Sequence, residues 1–305
     1  MTKGTLGKAL LTFVSALVFC LPAQGAETLD TTPRTAVISA FQPEWVALQA
    51  ALQERKAYTI NGTVFDTGFI DGKPVVLFLS GISMVNAAMT SQLALDRFTV
   101  ARIVFSGIAG GVDPRLAIGD VAVPAQWSQY LESVFARERA GAYVLPSFAD
   151  KSVPNFGMMF PQPVEVANGT EQPERRWWFP VDATLLSVAR TVAGTVRLDA
   201  CAAADKCLTQ QPKVVIGGNG VSGAAFVDNA AFREYVRKTF GAEVLDMESA
   251  AVAHVAYANK VPFIAFRSLS DLAGGGAGEN EMGTFFALAS KNSAAVVEAF
   301  LKALP

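Results

Sequence analysis

The sequence predicts a single α/β domain with helices packed on both faces of a central sheet. Short apolar segments of strand length alternate along the chain with longer segments of helical periodicity. Several of the apolar segments end in glycine-rich or acidic residues, as the loops of α/β folds often do. No internal repeat or low-complexity block interrupts the 305 residues, so one fold accounts for the chain beyond its N-terminal segment.

The first part of the chain predicts a strand-rich region with two helices. Pro43 suits the first turn of a helix, and Asn61-Gly62 and Asp71-Gly72 are typical of tight turns between paired strands. Residues 26–34 are predicted to be a disordered leader. A glycine-rich turn is predicted at 106–111, where backbone can approach a ligand closely. The predicted elements are a strand at 35–40, a helix from 43, a strand meander over 58–70, a strand at 75–79, a helix to about 98, and strands at 101–105 and 118–123.

Residues at about 124–180 differ in composition from the rest of the chain. Seven of the fifteen prolines lie here, together with many aromatic side chains. A segment so rich in aromatic residues is not typical of a disordered linker. We therefore expect an ordered insertion with few regular elements, which either walls the site or forms a subunit interface.

The remainder of the chain predicts alternating helices and strands. Glycine-rich segments are predicted to be loops at 217–223 and 274–278. The predicted elements are a helix at 181–195, a strand at 213–216, a helix at 229–240, a strand end at 244–245, a helix at 249–259, a strand at 262–266 and a final helix at 284–304.

The N-terminus predicts export. Lys3 and Lys8 precede an apolar run at 9–22, and small residues follow at 23–25. This pattern is typical of a cleaved signal peptide at 1–25, and the run is short for a membrane span. We expect a mature domain at 26–305 that is periplasmic or secreted. In such an oxidising compartment Cys201 and Cys207 can pair, and two free buried thiols are the alternative.

Composition argues against several classes of partner. Charged residues make up 17% of the chain and the net charge is −2, so there is no basic footprint for nucleic acid and no polybasic membrane patch. His254 is the single histidine, and there are three cysteines, which makes a metal site unexpected. We expect His254 to be a packing residue, since it lies among Ala and Val in a predicted helix.

Acidic residues follow three of the predicted strands. Asp246 and Glu248 follow the strand end at 244–245, Asp271 follows the next strand, and Glu44 follows the first strand. In open α/β sheets ligands bind in the crevice outside the carboxyl ends of strands. The acids therefore predict a ligand site there. For Asp246, Glu248 and Glu44 the alternative is a first-turn acid favoured by the helix dipole.

The segment DMESAAVAHVAYANKVPFIAFRSLSD at 246–271 resembles the signature of bacterial 5′-methylthioadenosine/S-adenosylhomocysteine nucleosidases. These enzymes belong to the purine nucleoside phosphorylase superfamily, and the resemblance extends through SGIAGGV and GGNGVSGAAFVD. It implies a three-layer αβα sandwich with a mixed, partly barrel-like central sheet. It also implies a homodimer, and no metal or organic cofactor. The insertion is absent from the compact cytoplasmic enzymes and resembles an exported, plant storage-protein-like branch.

The resemblance assigns roles to individual residues. Asp271 matches the acid that protonates or hydrogen-bonds adenine N7, Glu44 matches the base that activates water, and Arg267 matches an arginine near the water. The substrate-binding residues that it implies are Glu248 for the ribose hydroxyls, Met247 beneath the sugar, Phe226 and Val227 for the purine, and Ala109 and Gly110 in the glycine-rich turn.

Two departures from the family pattern concern the nucleophile. Ile108 stands where the nucleosidases usually carry serine, and Phe41, Gln42 and Pro43 replace polar residues before Glu44. Superfamily phosphorylases place arginines in the first loop and before the glycine-rich turn, and this chain has neither.

We therefore expect an exported purine nucleosidase that hydrolyses adenosine-type nucleosides such as methylthioadenosine or S-adenosylhomocysteine. It would bind no nucleic acid and, after signal cleavage, no membrane. The alternatives are a phosphate-dependent phosphorylase and a non-catalytic nucleoside-binding or storage-like protein.

Overall fold

A computed structural model describes residues 27–305, so the predicted signal peptide at 1–25 lies outside the described residues. The described chain forms six helices and twenty strands. The helices are α1 (Gln42–Ala51), α2 (Met84–Arg97), α3 (Ala183–Ala193), α4 (Ala230–Phe240), α5 (Ser249–Ala258) and α6 (Met282–Ala303). The strands are β1 (Asp30–Ser39), β2 (Gln53–Ile60), β3 (Thr63–Ile70), β4 (Lys73–Leu79), β5 (Phe98–Gly111), β6 (Val121–Val123), β7 (Gln126–Gln129), β8 (Ser133–Phe135), β9 (Arg137–Arg139), β10 (Ala142–Val144), β11 (Met159–Pro161), β12 (Val164–Val166), β13 (Glu174–Arg176), β14 (Phe179–Pro180), β15 (Cys201–Ala203), β16 (Lys206–Cys207), β17 (Val214–Ile216), β18 (Asn219–Ser222), β19 (Ala242–Asp246) and β20 (Phe263–Asp271).

A mixed sheet of twelve strands forms the centre of the fold. Nine strands follow the order β14-β7-β18-β19-β5-β1-β4-β3-β2, and β20, β6 and β17 branch from it. The long strand β5 connects the parts, because it pairs in parallel with β1 and β20 and antiparallel with β19. Its middle is buried, and Val104 and Phe105 are fully inaccessible. This architecture confirms the predicted α/β class with a mixed central sheet.

Two strands extend further than predicted. Strand β1 begins at Asp30 rather than after a leader, because Asp30 pairs with Phe98 in the sheet and its carboxylate lies 2.8 Å from Arg34 Nη2. The prediction of a glycine-rich turn at 106–111 is wrong. Strand β5 continues through these residues, since β20 runs beside it as far as Gly110 and β19 pairs with its last two residues.

The segment at 124–180 holds eight short strands, more regular structure than expected. Two of them belong to the central sheet: β7 pairs with β18, and β14 pairs with β7. Trp127 of β7 is fully buried. Gly220 makes room for its ring, since a Cβ at Gly220 would lie 2.6 Å from the indole. The segment is therefore joined to the sheet at both of its ends.

Cys201 and Cys207 form a disulfide with an S–S distance of 2.03 Å, which confirms the predicted pairing. Both residues are exposed on the β15–β16 hairpin, so they are not buried thiols. His254 stacks on Phe179 with ring centroids 4.7 Å apart, and its Nδ1 lies 3.0 Å from Gln129 Nε2. Burial lowers the pKa of His254. These contacts confirm a packing role.

None of the helices within residues 27–305 combines the length and apolar character that a membrane span requires. Over the same residues, His, Cys, Asp and Glu side chains form no group of three placed to hold a metal ion.

Candidate active site

A pocket of about 200 Å³ opens where β5, β19 and β20 end beside the first turn of α1. Four carboxylates and many apolar side chains face it. Its walls are formed by Ala40, Phe41, Glu44, Ile82, Ile108, Ala109, Gly110, Ala225, Phe226, Val227, Leu245, Asp246, Met247, Glu248, Ser270, Asp271 and Met282. The lining residues found within 27–305 include none from 124–180, so that segment does not wall the pocket, one of its two expected roles.

Arg267 of β20 lies behind the pocket and is fully buried. Its Nε lies 2.7 Å from Asp246 Oδ2 and donates to Ser249 Oγ at 2.8 Å. Its Nη1 lies 3.8 Å from Glu44 Oε1, and its Nη2 lies 3.7 Å from Glu248 Oε2. One cation therefore faces three buried carboxylates and offsets part of their negative charge. The sequence analysis matched Arg267 to an arginine near the attacking water and predicted none of its contacts to the three acids.

The guanidinium of Arg267 also packs over the ring of Phe105, with 4.0 Å between Cζ and the ring centroid. Such a contact stabilises a buried cation by interaction with the ring quadrupole. Phe105 is one of the positions at which the phosphorylases would carry arginine, and here it supports an arginine on the neighbouring strand. The position of the cation is thus set by β20 and not by β5.

Glu44 lies in the first turn of α1 with only 2% of its surface exposed. Its Oε2 accepts a hydrogen bond from the N–H of Ala40 at 2.6 Å, and its Oε1 accepts one from the N–H of Ile108 at 2.8 Å. Burial raises the pKa of Glu44 against the opposing effect of Arg267 and these N–H groups. A carboxylate with raised proton affinity is suited to accept a proton from water.

Gly107 allows this arrangement because it has no side chain. A Cβ at Gly107 would lie 1.9 Å from Arg267 Nη1 and 2.7 Å from Glu44 Oε1. Only glycine therefore permits the arginine and the carboxylate to approach β5 so closely.

Asp246 and Glu248 are placed by the junction between β19 and α5. Asp246 Oδ1 accepts hydrogen bonds from the N–H groups of Glu248 at 3.2 Å and Ser249 at 3.1 Å, and it also bonds the hydroxyl of Ser222. Asp246 thus accepts from N–H groups at the start of α5 and pairs with Arg267 at the same time, so the helix-dipole alternative describes part of its role. These bonds hold Glu248, the N-cap residue of α5, at the pocket wall.

Glu248 is 5% exposed, and its Oε1 accepts a hydrogen bond from the N–H of Ser83 at 2.8 Å. Burial raises the pKa of Glu248 to about 8, with Arg267 opposing the rise and Asp246 adding to it. Ser83 precedes α2 with φ 80° and ψ 161°, a conformation that favours glycine. Sequence reasoning missed Ser83, because a bond between residues so distant in the chain leaves no local pattern.

Asp271 ends β20 and is 3% exposed. Its Oδ1 accepts hydrogen bonds from the N–H of Ala273 at 2.8 Å and from Asn280 Nδ2 at 3.4 Å. Its Oδ2 accepts one from the hydroxyl of Ser270 at 2.9 Å. Burial raises the pKa of Asp271, although these donors oppose the rise. The pocket therefore contains a carboxyl group that retains its proton to higher pH than usual.

The structure brings the predicted site residues together. Eight of the nine line the pocket, and Arg267 supports them from behind. Phe226 is 55% exposed, so its ring offers an open face on which a planar base can stack. Residues missed by the prediction also line the pocket. Neither a charge nor a motif marks Ile82, Leu245 or Met282 in the sequence. Ala225 lies in the segment GGNGVSGAAFVD but was assigned no role.

The family model described as "Phosphorylase superfamily" matches residues 34–302. This range contains the whole pocket and nearly all of the described fold. The chain therefore belongs to the phosphorylase superfamily.

Comparison with individual proteins indicates which members of the superfamily this chain resembles. The 5′-methylthioadenosine/S-adenosylhomocysteine nucleosidase of Marinomonas sp. (strain MWYL1) is 30% identical over 267 residues, which cover 87% of this chain and 97% of that protein. Bark storage protein B of Populus deltoides is 26% identical over 266 residues, covering 83% and 81%. A solved structure of the nucleosidase from Neisseria meningitidis in complex with methylthio-immucillin-A gives a TM-score of 0.67 at 25% identity, covering 89% and 99%. The nucleosidase relatives confirm the prediction of an enzyme of the N-ribosyl hydrolase class.

Proposed function

We propose that this protein is an exported nucleosidase that hydrolyses the N-ribosidic bond of adenosine-type nucleosides, such as methylthioadenosine or S-adenosylhomocysteine. The observation that carries the proposal is the placement of Glu44, Glu248 and Asp271 in one pocket, each nearly inaccessible to solvent. Cleavage of an N-ribosidic bond needs a general acid beside the leaving nucleobase, a polar group beside the sugar and a general base beside the attacking water. The three carboxylates supply one group for each need.

The reaction begins at the leaving base. Protonated Asp271 donates its proton to N7 of adenine while the bond between N9 and C1′ breaks, and the bonding electron pair leaves with the base. The ribosyl group then carries positive charge, which the neighbouring carboxylates stabilise. Glu248 accepts hydrogen bonds from the ribose hydroxyls, with Met247 beneath the sugar.

Water completes the reaction. Glu44 accepts a proton from a water molecule while the oxygen of that water bonds to C1′. The products are free adenine and the ribose product. General acid and general base catalysis of this kind each contribute about 10²–10⁴ in rate. The raised pKa of Asp271 favours the acid form, and the raised pKa of Glu44 strengthens it as a base.

The surroundings of Glu44 support water and not phosphate as the nucleophile. Ile108 and Phe41 give this part of the pocket an apolar surface. Arg267, the buried cation beside Glu44, already faces three carboxylates. A phosphate dianion placed here would meet the negative charge of Glu44 without an unshared cation to balance it.

Export is supported by two features of the chain. Lys3 and Lys8 precede the apolar run at 9–22 in the manner of a signal peptide. The exposed disulfide of Cys201 and Cys207 is typical of an oxidising compartment such as the periplasm. Fractionation of cells that express the full chain tests this part, and a protein that remains cytoplasmic at full length contradicts it.

A homodimer is also proposed. Large apolar side chains lie exposed on α2 and on the segment at 124–180, which would be unusual for surfaces that remain in water. They are Val85 and Met89 on the helix, and Phe135, Phe148 and Met158 on the segment. Light scattering of the mature chain tests this part, and a monomeric mass at micromolar concentration contradicts it.

The catalytic proposal is tested by incubating the mature protein with adenosine, methylthioadenosine and inosine in phosphate-free buffer, with release of the base followed by chromatography. We expect release by the wild type and a loss of about 10²–10⁴-fold in Asp271→Asn, which cannot donate the proton. Release that requires added phosphate would assign the protein to the phosphorylases. Binding of nucleoside without any release would favour a storage-like protein.

A further inference from the structure

Asn280 lies between β20 and α6, and both ends of its side-chain amide are engaged. Its Oδ1 accepts a hydrogen bond from the N–H of Met282 at 2.9 Å, at the start of α6. Its Nδ2 lies 3.1 Å from Asp228 Oδ1 and 3.4 Å from Asp271 Oδ1. An amide oxygen cannot donate, so a flipped amide would lose the bond from Met282 and would place oxygen against two carboxylates. The amino group must therefore face Asp271.

This orientation makes the two oxygens of Asp271 different. Oδ1 is faced by two N–H donors, from Ala273 and from Asn280. Oδ2 is faced by the hydroxyl of Ser270, which also lies 3.5 Å from the carbonyl of Ala109. A hydroxyl can rotate to donate elsewhere, whereas an N–H group can only donate. A proton on Oδ1 would oppose two fixed donors, so the proton of Asp271 belongs on Oδ2.

We propose that Asn280 is a positioning residue for the acid step, which fixes Oδ2 of Asp271 as the oxygen that carries the proton to the leaving base. The inference rests on the proposed nucleosidase function. In this step the O–H bond at Oδ2 breaks and the N7–H bond forms, while the electron pair of the ribosidic bond passes to the base. The carboxylate that remains keeps its two N–H donors on Oδ1, so neither of them has to move during the reaction, and the Ser270 hydroxyl can turn from the carbonyl of Ala109 to donate to Oδ2.

Acidic side chains near Asp271 make the neutral amide of Asn280 important for the charge balance around that carboxyl group. Asp228 approaches from the segment after β18, and Glu281 faces Asp271 from the start of α6. Both are acidic, and Asn280 is the neutral group that lies against both Asp228 and Asp271. It supplies hydrogen to both carboxylates and so limits the effect of their like charge.

The test compares Asn280→Asp with wild type by measuring kcat/KM for methylthioadenosine across pH, together with Tm. Aspartate retains an oxygen acceptor for the N–H of Met282 and so preserves that bond at the start of α6. It replaces the donor at Asp271 with a carboxylate, which raises the pKa of the acid. We expect the basic limb of the pH profile to move to higher pH by about one unit. We also expect kcat at the optimum to fall about tenfold. Asn280→Ala, which removes the donor to Asp271 and the acceptor for Met282, is expected to lower Tm and to shift the limb less.

Asn168→Asp is the matched control, because Asn168 Nδ2 lies 2.9 Å from Glu174 Oε1, a carboxylate outside the pocket. We expect its profile to equal that of the wild type. The proposal is overturned if Asn280→Asp keeps the wild-type limb and kcat while Asp271→Asn is inactive, and the proposed function then stands. A lower Tm and kcat in both Asn280 variants without a shifted limb shows a structural role alone and also overturns it. Full activity in Asp271→Asn instead refutes the proposed function and this inference together.

Discussion

A single methyl group at Gly107 is expected to disable the part of the site that we propose to activate water. In Gly107→Ala the new Cβ would lie 1.9 Å from Arg267 Nη1 and 2.7 Å from Glu44 Oε1. The end of an arginine side chain usually yields to such a contact. Here it cannot do so freely, because Arg267 is fully buried, lies 2.7 Å from Asp246 and packs on Phe105.

The size of the effect follows from the displacement. Ordinary contacts to a Cβ exceed 3.0 Å, so the guanidinium must retreat by roughly 1 Å, and Glu44 must shift with it. Misplacement of catalytic groups by that distance costs on the order of 10²-fold in rate. Overpacking of a well-packed interior lowers the free energy of unfolding by about 1–3 kcal/mol. We therefore expect a folded protein with a large loss of activity.

The assay is release of adenine from methylthioadenosine, with urea denaturation measured on the same samples. Gly194→Ala is the control, because Gly194 ends α3 with φ −84° and a Cβ there would meet no atom within 4 Å. It is expected to retain activity and stability. If Gly107→Ala retained wild-type activity and stability, the close approach of Arg267 and Glu44 to β5 would be incorrect.

Two further predictions concern stability. Ser83→Gly is expected to raise the free energy of unfolding by about 1 kcal/mol in urea titrations, because it relieves a backbone conformation with φ 80° that disfavours serine; an unchanged or lower value would show that Ser83 is not strained. Glu248→Gln tests the pH dependence of stability. Folding raises the pKa of Glu248 from 4.5 to about 8, so the folded protein binds more protons than the unfolded chain between those pH values. The free energy of unfolding therefore falls as pH rises through that window. The variant is expected to show a shallower fall from pH 5 to pH 8, and equal slopes would contradict the assignment.

The sequence could predict those parts of the site that depend on local pattern. Glu44, Glu248 and Asp271 each follow an apolar strand, and the rule that ligands bind at carboxyl ends of strands brings them to one region. The helices were predicted for the same reason, since their apolar periodicity extends over several turns. Their observed ends lie within a few residues of the predicted ones.

Features that depend on distant pairing could not be predicted in this way. The glycine-rich residues 106–111 have the composition of a turn, yet they extend β5 because β20 provides hydrogen bonds along them. Contacts between Arg267 and three acids join residues from separate elements. Asn280 lies at the end of a glycine-rich loop, where nothing in the local sequence distinguishes a positioning residue from a solvent-exposed one.

The way in which residues 124–180 join the sheet determines where this chain can change in length. Strands β7 and β14 hold the two ends of the segment in the central sheet, and β8 pairs with β11 further along. A deletion that reached either end would remove β7, which pairs with β18, or β14, which pairs with β7. Strand β18 leads to Phe226. The exposed turn at Ala140 and Gly141 lies between two short paired strands instead. Insertions, deletions and proteolytic cuts are therefore best tolerated at that turn, which leaves the sheet that carries the pocket unbroken.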